Sequence, residues 1–536
     1  MGSREGSEYQ RERKPDRSSR LHGRSSPRAP VTVGRARLGA VVALAAVGVI
    51  VGVSDPGDVP AAVPRNAIAV DVRGGPAGPA IPPGFLGLSV EYSSLLSYSG
   101  PDTAAPNPTF IRLVRALAPG ASPVIRFGGD TTDWTWWPTN GVPKPPGIRF
   151  VLTRRWLAVA RATALAMGAR LILGINLEAD SSKLARSEAR VLLKDLGGAR
   201  VAGLELGNEP EVYGSIGWYT NAEGVSVLGR PSGYDFDSYL ADYRAVSSAL
   251  PRGVPLAGPA SGAPLWKAGL SRFLLANPRV RIATFHAYPL RRCYTSSSSP
   301  TYPTIANLLS PAAVGGAATG LRAAVAVAHA RGVQVRLDEV NSVSCKGTRG
   351  VSDVFASALW AVDTLFHLAT AGVDGVNIHT LTGAPYAPFA FSHAGGHWRA
   401  QVRPMYYGLM LFTRAAPAGS RLLTTLHARA PGLRTWATLG PGGTLRIVLI
   451  DDSATRRMTL AVRAPRSATL ATLERMSAPG LRARGGVTLA GQSYRSPSTT
   501  GQLSGAFRAA VLHPVQRRYV VDLRPASAAL LTLKTR

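Results

Sequence analysis

The sequence predicts an α/β fold: a (β/α)8 TIM barrel with an appended C-terminal all-β sandwich domain. Two observations carry the prediction. Between residues 85 and 406, eight short apolar runs alternate with segments of helical period, the pattern of parallel strands joined by right-handed crossovers. From residue 407 the period changes to short alternating strands separated by turn residues, as in a sheet packed on a sheet. A chain of 536 residues, 45% of them hydrophobic, is long enough for more than one core.

In chain order, residues 1–37 are rich in Arg, Ser, Glu and Pro and lack an apolar period, the composition of a disordered basic N-terminus. They lead into "LGAVVALAAVGVIVGV", Leu38 to Val53, an uncharged run short of the ~20 residues of a full membrane span. Three readings stand: a secretory signal with a long basic n-region, a single N-terminal membrane anchor, or a buried core helix. The first two place the folded chain in an extracellular location, secreted or anchored to the outer face of the cell membrane. Residues 54–84 read as a Pro/Gly-rich linker plus one alternating strand, "NAIAVDVRG" at 66–74, expected to join the β-domain.

The barrel is assigned to 85–406. Its runs are "FLGLSVEY" at 85–92, "PVIRFGGD" at 123–130, "RLILGINLE" at 170–178, "VAGLELGNE" at 201–209, "VPLAGPA" at 254–260, "RIATFHAYP" at 281–289, "VQVRLDEVN" at 333–341 and "GVDGVNIHT" at 372–380. Helical patterns lie between them at 150–170, 181–196, 236–250, 265–276, 321–331 and 354–371. A doubly wound open sheet is the competing architecture, but no Gly-rich phosphate fingerprint follows any of these strands. The β-domain is assigned to 407–536 on runs at 444–451, 458–464, 519–524 and 529–534.

A formal charge of +30 would suit a polyanionic partner. All but seven of the 61 basic residues are Arg, however, and they are spread along the whole chain, as a coding bias would leave them. No nucleic-acid partner is inferred, while attraction to acidic glycans stays open.

In a (β/α)8 barrel the C-terminal strand ends face the active site. Here those ends carry Glu91, Asp130, Asp133, Glu178, Asp180, Asn208, Glu209, His286, Tyr288, Asp338, Glu339, Asn341 and His379. Two carboxylates flanking a sugar ring are the minimum equipment for breaking a glycosidic bond, one protonated to assist the leaving oxygen, one ionised to meet the developing oxocarbenium ion. Glu209 and Glu339 are that pair, and across a barrel mouth a separation of ~5.5 Å, which predicts retention, is open to them. Asn208 stands where it can donate to the hydroxyl beside the reacting carbon. Glu205, deeper on the same strand, is expected to be a structural ion-pair partner. "WTWW", with Trp134, Trp136 and Trp137, is expected to pack under its loop, the alternative being a sugar-stacking face. "HAGGH", His393 to His397, has a metal-like spacing, but its glycines make a loop and no metal is assigned.

The motifs "ELGNEP" at 205–210, "RFGGDTTD" at 126–133, "FLGLSVE" at 85–91, "DEVNSVSC" at 338–345 and "RPMYYGLMLF" at 403–412 resemble glycoside hydrolase family 79, the β-glucuronidases and heparanases of clan A. The resemblance covers roughly 66–536. It implies a retaining β-glycosidase, an exo-acting β-glucuronidase working by two-step double displacement, with Glu339 as nucleophile and Glu209 as general acid/base. It also implies that Tyr288 and Arg126 support the nucleophile, that Glu91 binds sugar hydroxyls, and that Asp130 and Tyr386 contact hydroxyls or the uronate carboxylate. The mechanism calls for no cofactor, and the partner is a glycan or glycoside containing uronic acid. Other retaining clan A activities (xylosidase or arabinofuranosidase), an endo-acting heparanase-like enzyme and a catalytically silent carbohydrate-binding surface protein are the alternatives. Cys293 and Cys345 follow neighbouring strands, so their loops are expected to meet in a disulfide.

Overall fold

The computed structural model describes residues 62–293, 295–465 and 468–534. The disordered-terminus reading of 1–37, the signal-or-anchor reading of 38–53 and the first part of the linker lie outside them. Eight parallel strands close a barrel: Leu86–Val90, Val124–Phe127, Arg170–Ile175, Val201–Leu206, Leu256–Ser261, Val280–Ala287, Gln334–Val340 and Gly375–Thr380. The eighth pairs with the first, Val376 opposite Leu86 through Thr380 opposite Val90, which seals the ring. Each strand is buried over most of its length, because helices cover its outer face and side chains fill the interior. That is why the strands read as apolar runs with their polar residues pushed to the ends.

Local chemistry sets the helix bounds. Arg154–Met167 begins where Thr153 Oγ1 accepts from the Trp156 amide and stops at Gly168, which takes a left-handed φ of 65°. It starts later than the pattern from 150 suggests, because Phe150–Val151 pairs with Thr135–Trp136 as a small sheet on the barrel rim. Ser182–Leu196 is capped by Ser181. The pattern at 321–331 is the second half of a longer helix, Pro311–His329, capped by Ser310 with proline at its first turn. The pattern at 265–276 divides at Gly269 into Pro264–Ala268 and Leu270–Ala276.

The β-domain is a ten-stranded sheet. Ile68–Ala80 lies within it, antiparallel to Arg421–His427 and parallel to Met458–Arg463. Residues of alternating strand positions, such as Leu445, Ile447 and Leu449 with Leu531 and Leu533, form the sheet's own core. The edge strand Tyr519–Leu523 returns over Thr444–Asp451 and Ser527–Lys534, so the two layers of the sandwich are one continuous sheet folded over that core. The opposite face, with Val448, Ile450, Ala528 and Leu530, packs on the barrel. The change of architecture comes later than residue 407. Pro404–Ala415 is still a barrel helix, its Phe412 ring 5.4 Å from Phe85 and 5.0 Å from Phe366, and the first sheet strand after it begins at Arg421.

Candidate active site

The strand ends converge on a cleft of about 390 Å³. Glu91, Asp130, Asn208, Glu209, Tyr288, Glu339 and Tyr386 all line it, so seven of the eight residues expected at the site reach the same space. The eighth, Arg126, lies directly beneath and is wholly buried.

Arg126 organises the floor. Its Nε donates to Glu205 Oε2 at 2.6 Å, Nη1 to Glu339 Oε2 at 2.7 Å and to Ser89 Oγ at 3.1 Å, and Nη2 to Asn208 Oδ1 at 2.8 Å. A buried guanidinium with this many acceptors is compensated for its lost hydration, and it fixes three strand ends relative to one another. Glu205 is therefore the ion-pair partner its depth suggested. Asp338, 3.2 Å from the same Nε, is the other buried acid. Its two oxygens and Glu205 Oε1 meet no N–H donor among the described residues. Burial and the adjacent Glu205 push Asp338 well above the carboxylate range. Burial alone would raise Glu205 too, but Arg126 brings it below its ordinary value. A proton held on Asp338 and offered to Glu205 satisfies both groups.

Glu339 accepts from Tyr288 Oη at 2.7 Å in addition to Arg126. Burial opposes its charge, but His379, His286, Arg126 and the tyrosine bond outweigh it and hold the carboxyl well below the usual range. Glu209 differs. A third of its side chain is exposed, and its bond is to His286 Nδ1 at 3.0 Å. Its backbone sits at φ 46°, a left-handed conformation unusual for a residue with a side chain and typical of strained functional positions. The preceding turn needs Gly207, at φ 77°, where a Cβ would lie 2.4 Å from the Tyr213 hydroxyl. That hydroxyl and the Asn208 amide both donate to Asp133 Oδ2, at 2.6 and 2.8 Å, while Asp133 Oδ1 accepts from the amides of Leu177 and Glu178. Asp133 thus ties the ends of strands two, three and four together.

One ligand atom each from Glu209, His286 and Glu339 lie within 4.8 Å of one another. The donor types would suit a divalent cation, but a cation there would compete with Arg126 for Glu339 and with His286 for Glu209. An oxygen of Glu209 thus stands within 4.8 Å of an oxygen of Glu339. Asn208 Oδ1 is taken by Arg126, which leaves its NH2 as the donor facing the cleft.

On the opposite wall, Glu91 accepts from the amides of Asp130 and Thr131, at 3.2 and 2.9 Å, and from the Thr131 hydroxyl. His379 Nε2 stands 3.4 Å from it. Asp130 is exposed in the cleft. Partial desolvation there, then repulsion from Glu91, Glu339 and Glu209, raises its carboxyl to about 7. Tyr386 is 3% exposed, its ring 6.4 Å from that of Tyr288. Cys293 and Cys345 are joined, with Cα atoms 6.2 Å apart, and both lie on the cleft wall.

Some lining residues escaped the sequence reading. Trp218 and Lys346 come from loops whose path no periodicity reveals. Trp134 lines the cleft, whereas Trp137 packs partly against the core, so the aromatic cluster divides between its two readings. His393 and His397 lie on the two strands of a hairpin, with His393 against Trp398.

Protein-family models give no match to the chain. Two curated relatives do match: a β-glucuronidase of Neurospora crassa, 24% identical over 447 residues (73% of this chain, 76% of that one), and a β-glucuronidase of Aspergillus niger, 25% identical over 466 residues (78% and 84%). The chain is a glycoside hydrolase, and its resemblance is to family 79. Among solved structures, the hydrolase superposes on a 4-O-α-L-rhamnosyl-β-D-glucuronidase from Fusarium oxysporum with a TM-score of 0.64 at 19% identity, covering 89% of this chain and 99% of that one. A GH51 arabinofuranosidase from Xanthomonas axonopodis pv. citri gives 0.62 at 15%, covering 87% and 99%. At such identities these structures speak for the barrel-plus-sandwich fold, which the hydrolase shares with enzymes of different specificity, and its substrate is a glycan.

Proposed function

We propose that the hydrolase is an exo-acting, retaining β-glucuronidase that works by double displacement. The observation that carries this reading is the Glu209 and Glu339 pair, with an oxygen from each within 4.8 Å across the barrel mouth and Glu339 held ionised by Arg126 and Tyr288. In the first step a Glu339 oxygen attacks the anomeric carbon while Glu209 gives its proton to the departing glycosidic oxygen. In the second, Glu209 takes a proton from water, which attacks the same carbon and displaces Glu339 from the glycosyl ester. Asn208, through its free NH2, binds the hydroxyl beside the reacting carbon, and Glu91 binds hydroxyls on the other wall. Asp130 and Tyr386 contact hydroxyls or the uronate carboxylate. The names of the two fungal relatives support the glucuronide specificity.

A panel of aryl glycosides tests the substrate class, run beside Glu339→Gln and a 2-fluoro glucuronide trap. Preferential hydrolysis of the glucuronide, its loss in Glu339→Gln and a covalent adduct on Glu339 are expected. Turnover of an aryl arabinofuranoside or xyloside in preference to the glucuronide would overturn the specificity, and an intact Glu339→Gln rate would overturn the mechanism. The reading includes an extracellular site of action, supported by the Cys293–Cys345 disulfide, since such bonds persist in oxidising compartments.

A further inference from the structure

We propose that the barrel flank beside the cleft carries a second glycan-binding site, a basic groove that grips an acidic polysaccharide chain whose end occupies the cleft. The groove, of about 550 Å³, runs between the helix Ser182–Leu196 and residues 137–142, which follow the second barrel strand. Lys183, Arg186, Arg190 and Lys194 line it, all exposed and spaced three or four residues apart, so they share one helix face. Across from them, Arg154 sets its guanidinium 5.7 Å from the Trp137 ring.

Three features separate this groove from an ordinary solvated stripe. Among the described residues none of the five cations has a carboxylate oxygen within 4.0 Å, although Asp195 lies in the lining, so like charges face one another without internal neutralisation. Trp137 adds an aromatic face of the kind on which sugar rings lie, next to guanidinium groups that match carboxylates and sulfates. Finally, Trp134 lines the catalytic cleft and Trp137 the groove. Three residues of extended chain span about 10 Å, a distance that two or three sugar rings leaving the cleft would cover to reach the groove. A polymer of uronic acids or sulfated sugars has the charge, the ring faces and the length to occupy both. The inference rests on the uronide reading of the cleft only for the direction from which the chain arrives.

Binding without turnover tests it. A fluorescent uronic-acid octasaccharide is titrated against Glu339→Gln, and against the same variant carrying Arg186→Ser, Arg190→Ser and Lys194→Ser. The Kd is expected to rise about tenfold at low salt when three exposed cations are lost, and its salt dependence to become shallower. In the active background the three serine changes should leave kcat/KM for an aryl glucuronide unchanged. Equal Kd values for the two proteins would overturn the proposal. So would duplex DNA of matching charge binding as tightly as the octasaccharide, or a parallel loss of aryl turnover, which would make the effect structural. If the parent hydrolyses no glucuronide, the proposed function fails while the Kd comparison still decides the groove.

Discussion

Glu209→Gly removes the carboxylate assigned to proton transfer and leaves Glu339 with all its partners. The left-handed backbone at φ 46° costs a residue with a side chain about 1–2 kcal/mol and glycine almost nothing. Against that gain stands the bond to His286 at 3.0 Å, of a kind that contributes about 1.5–3 kcal/mol when fully buried and less here, where a third of the side chain is exposed. The two effects nearly cancel, so the variant should melt within a few degrees of the parent. Catalysis should respond very differently. General acid/base assistance is worth about 10²–10⁴-fold, or roughly 3–5 kcal/mol of barrier, and an alkyl or phenyl glucuronide should lose that factor in kcat/KM. A dinitrophenyl glucuronide has a leaving group that departs without a proton, so the glycosyl ester should still form and then persist, because water lacks its base. Azide needs no base and fits the space the carboxylate vacated; it should restore turnover and yield a glycosyl azide of retained configuration. Leaving-group dependence, burst kinetics and product stereochemistry by NMR make up the assay. Equal losses for both leaving groups, or an azide product of inverted configuration, would refute the assignment of Glu209 and of the double displacement.

Three further outcomes can be checked. Asp130 holds its proton to about 7 in the folded chain, against an ordinary value of 3.8, so the native state binds a proton that the unfolded chain has released. Stability contributed by this group therefore declines as pH rises from about 4 through about 7, and Asp130→Asn should melt higher than the parent at pH 8 but level with it at pH 4. A Cβ on Gly129 would lie 2.4 Å from Glu91 Oε1, on a backbone at φ 86°; Gly129→Ala should cost about 1–3 kcal/mol by denaturant titration and raise KM through the displaced Glu91. Denatured, unreduced protein should titrate no free thiols, and reduction, which opens a loop spanning 52 residues, should lower stability by up to about 4 kcal/mol.

The barrel was legible because parallel strands covered on both faces show as apolar runs, with most of their polar residues near the ends and the few inside, such as Arg126 and Glu205, paired with one another. Six of the eight strands fall inside the runs read from the sequence, and the other two, Leu256–Ser261 and Val280–Ala287, overrun theirs by one residue. The meeting of Glu209 and Glu339 at the barrel mouth was legible for the same reason, whereas the contacts of Arg126 and Tyr288 with Glu339 were anticipated only through the family motifs. What the pattern hid has physical causes. The first half of the helix Pro311–His329, "PAAVGGAATG", is too rich in Gly and Ala to display an apolar stripe, and Gly315 lies where the helix passes close to the His367 ring, 3.3 Å from where a Cβ would stand. "RPMYYGLMLF" is apolar enough to suit either a strand or a helix, and only Pro404 at the first turn favours the helix it forms. Asp133 looked like one more polar strand end. Its part in joining three strand ends depends on amides brought together from residues 177, 178 and 208, which no local reading assembles.

The charge of the cleft poses a sharper problem for a uronide substrate, since six carboxylates line it and Lys346 is its one Lys or Arg among the described lining residues. The formal count overstates the repulsion. Glu339 shares the buried Arg126 with the ionised Glu205, so its charge is partly offset, and Asp338 behind it is kept protonated by burial and Glu205. Asp130 titrates near 7, and Glu178, desolvated and facing Asp133, is raised to about 9, so both carry protons through the mildly acidic range. Burial works against charge on His286 and His379, but Glu339 raises both above the ordinary imidazole value, and Glu209 and Glu91 respectively add to the effect. As the pH falls through about 7, Asp130 takes up its proton and the wall thus loses negative charge, while Glu339 stays ionised. Binding of an anionic sugar should therefore strengthen towards mildly acidic pH without loss of the nucleophile, and a neutral aryl glucoside run alongside should show a flatter KM profile. A glucuronide KM that improves instead towards alkaline pH would mean that the uronate is read by groups other than this wall.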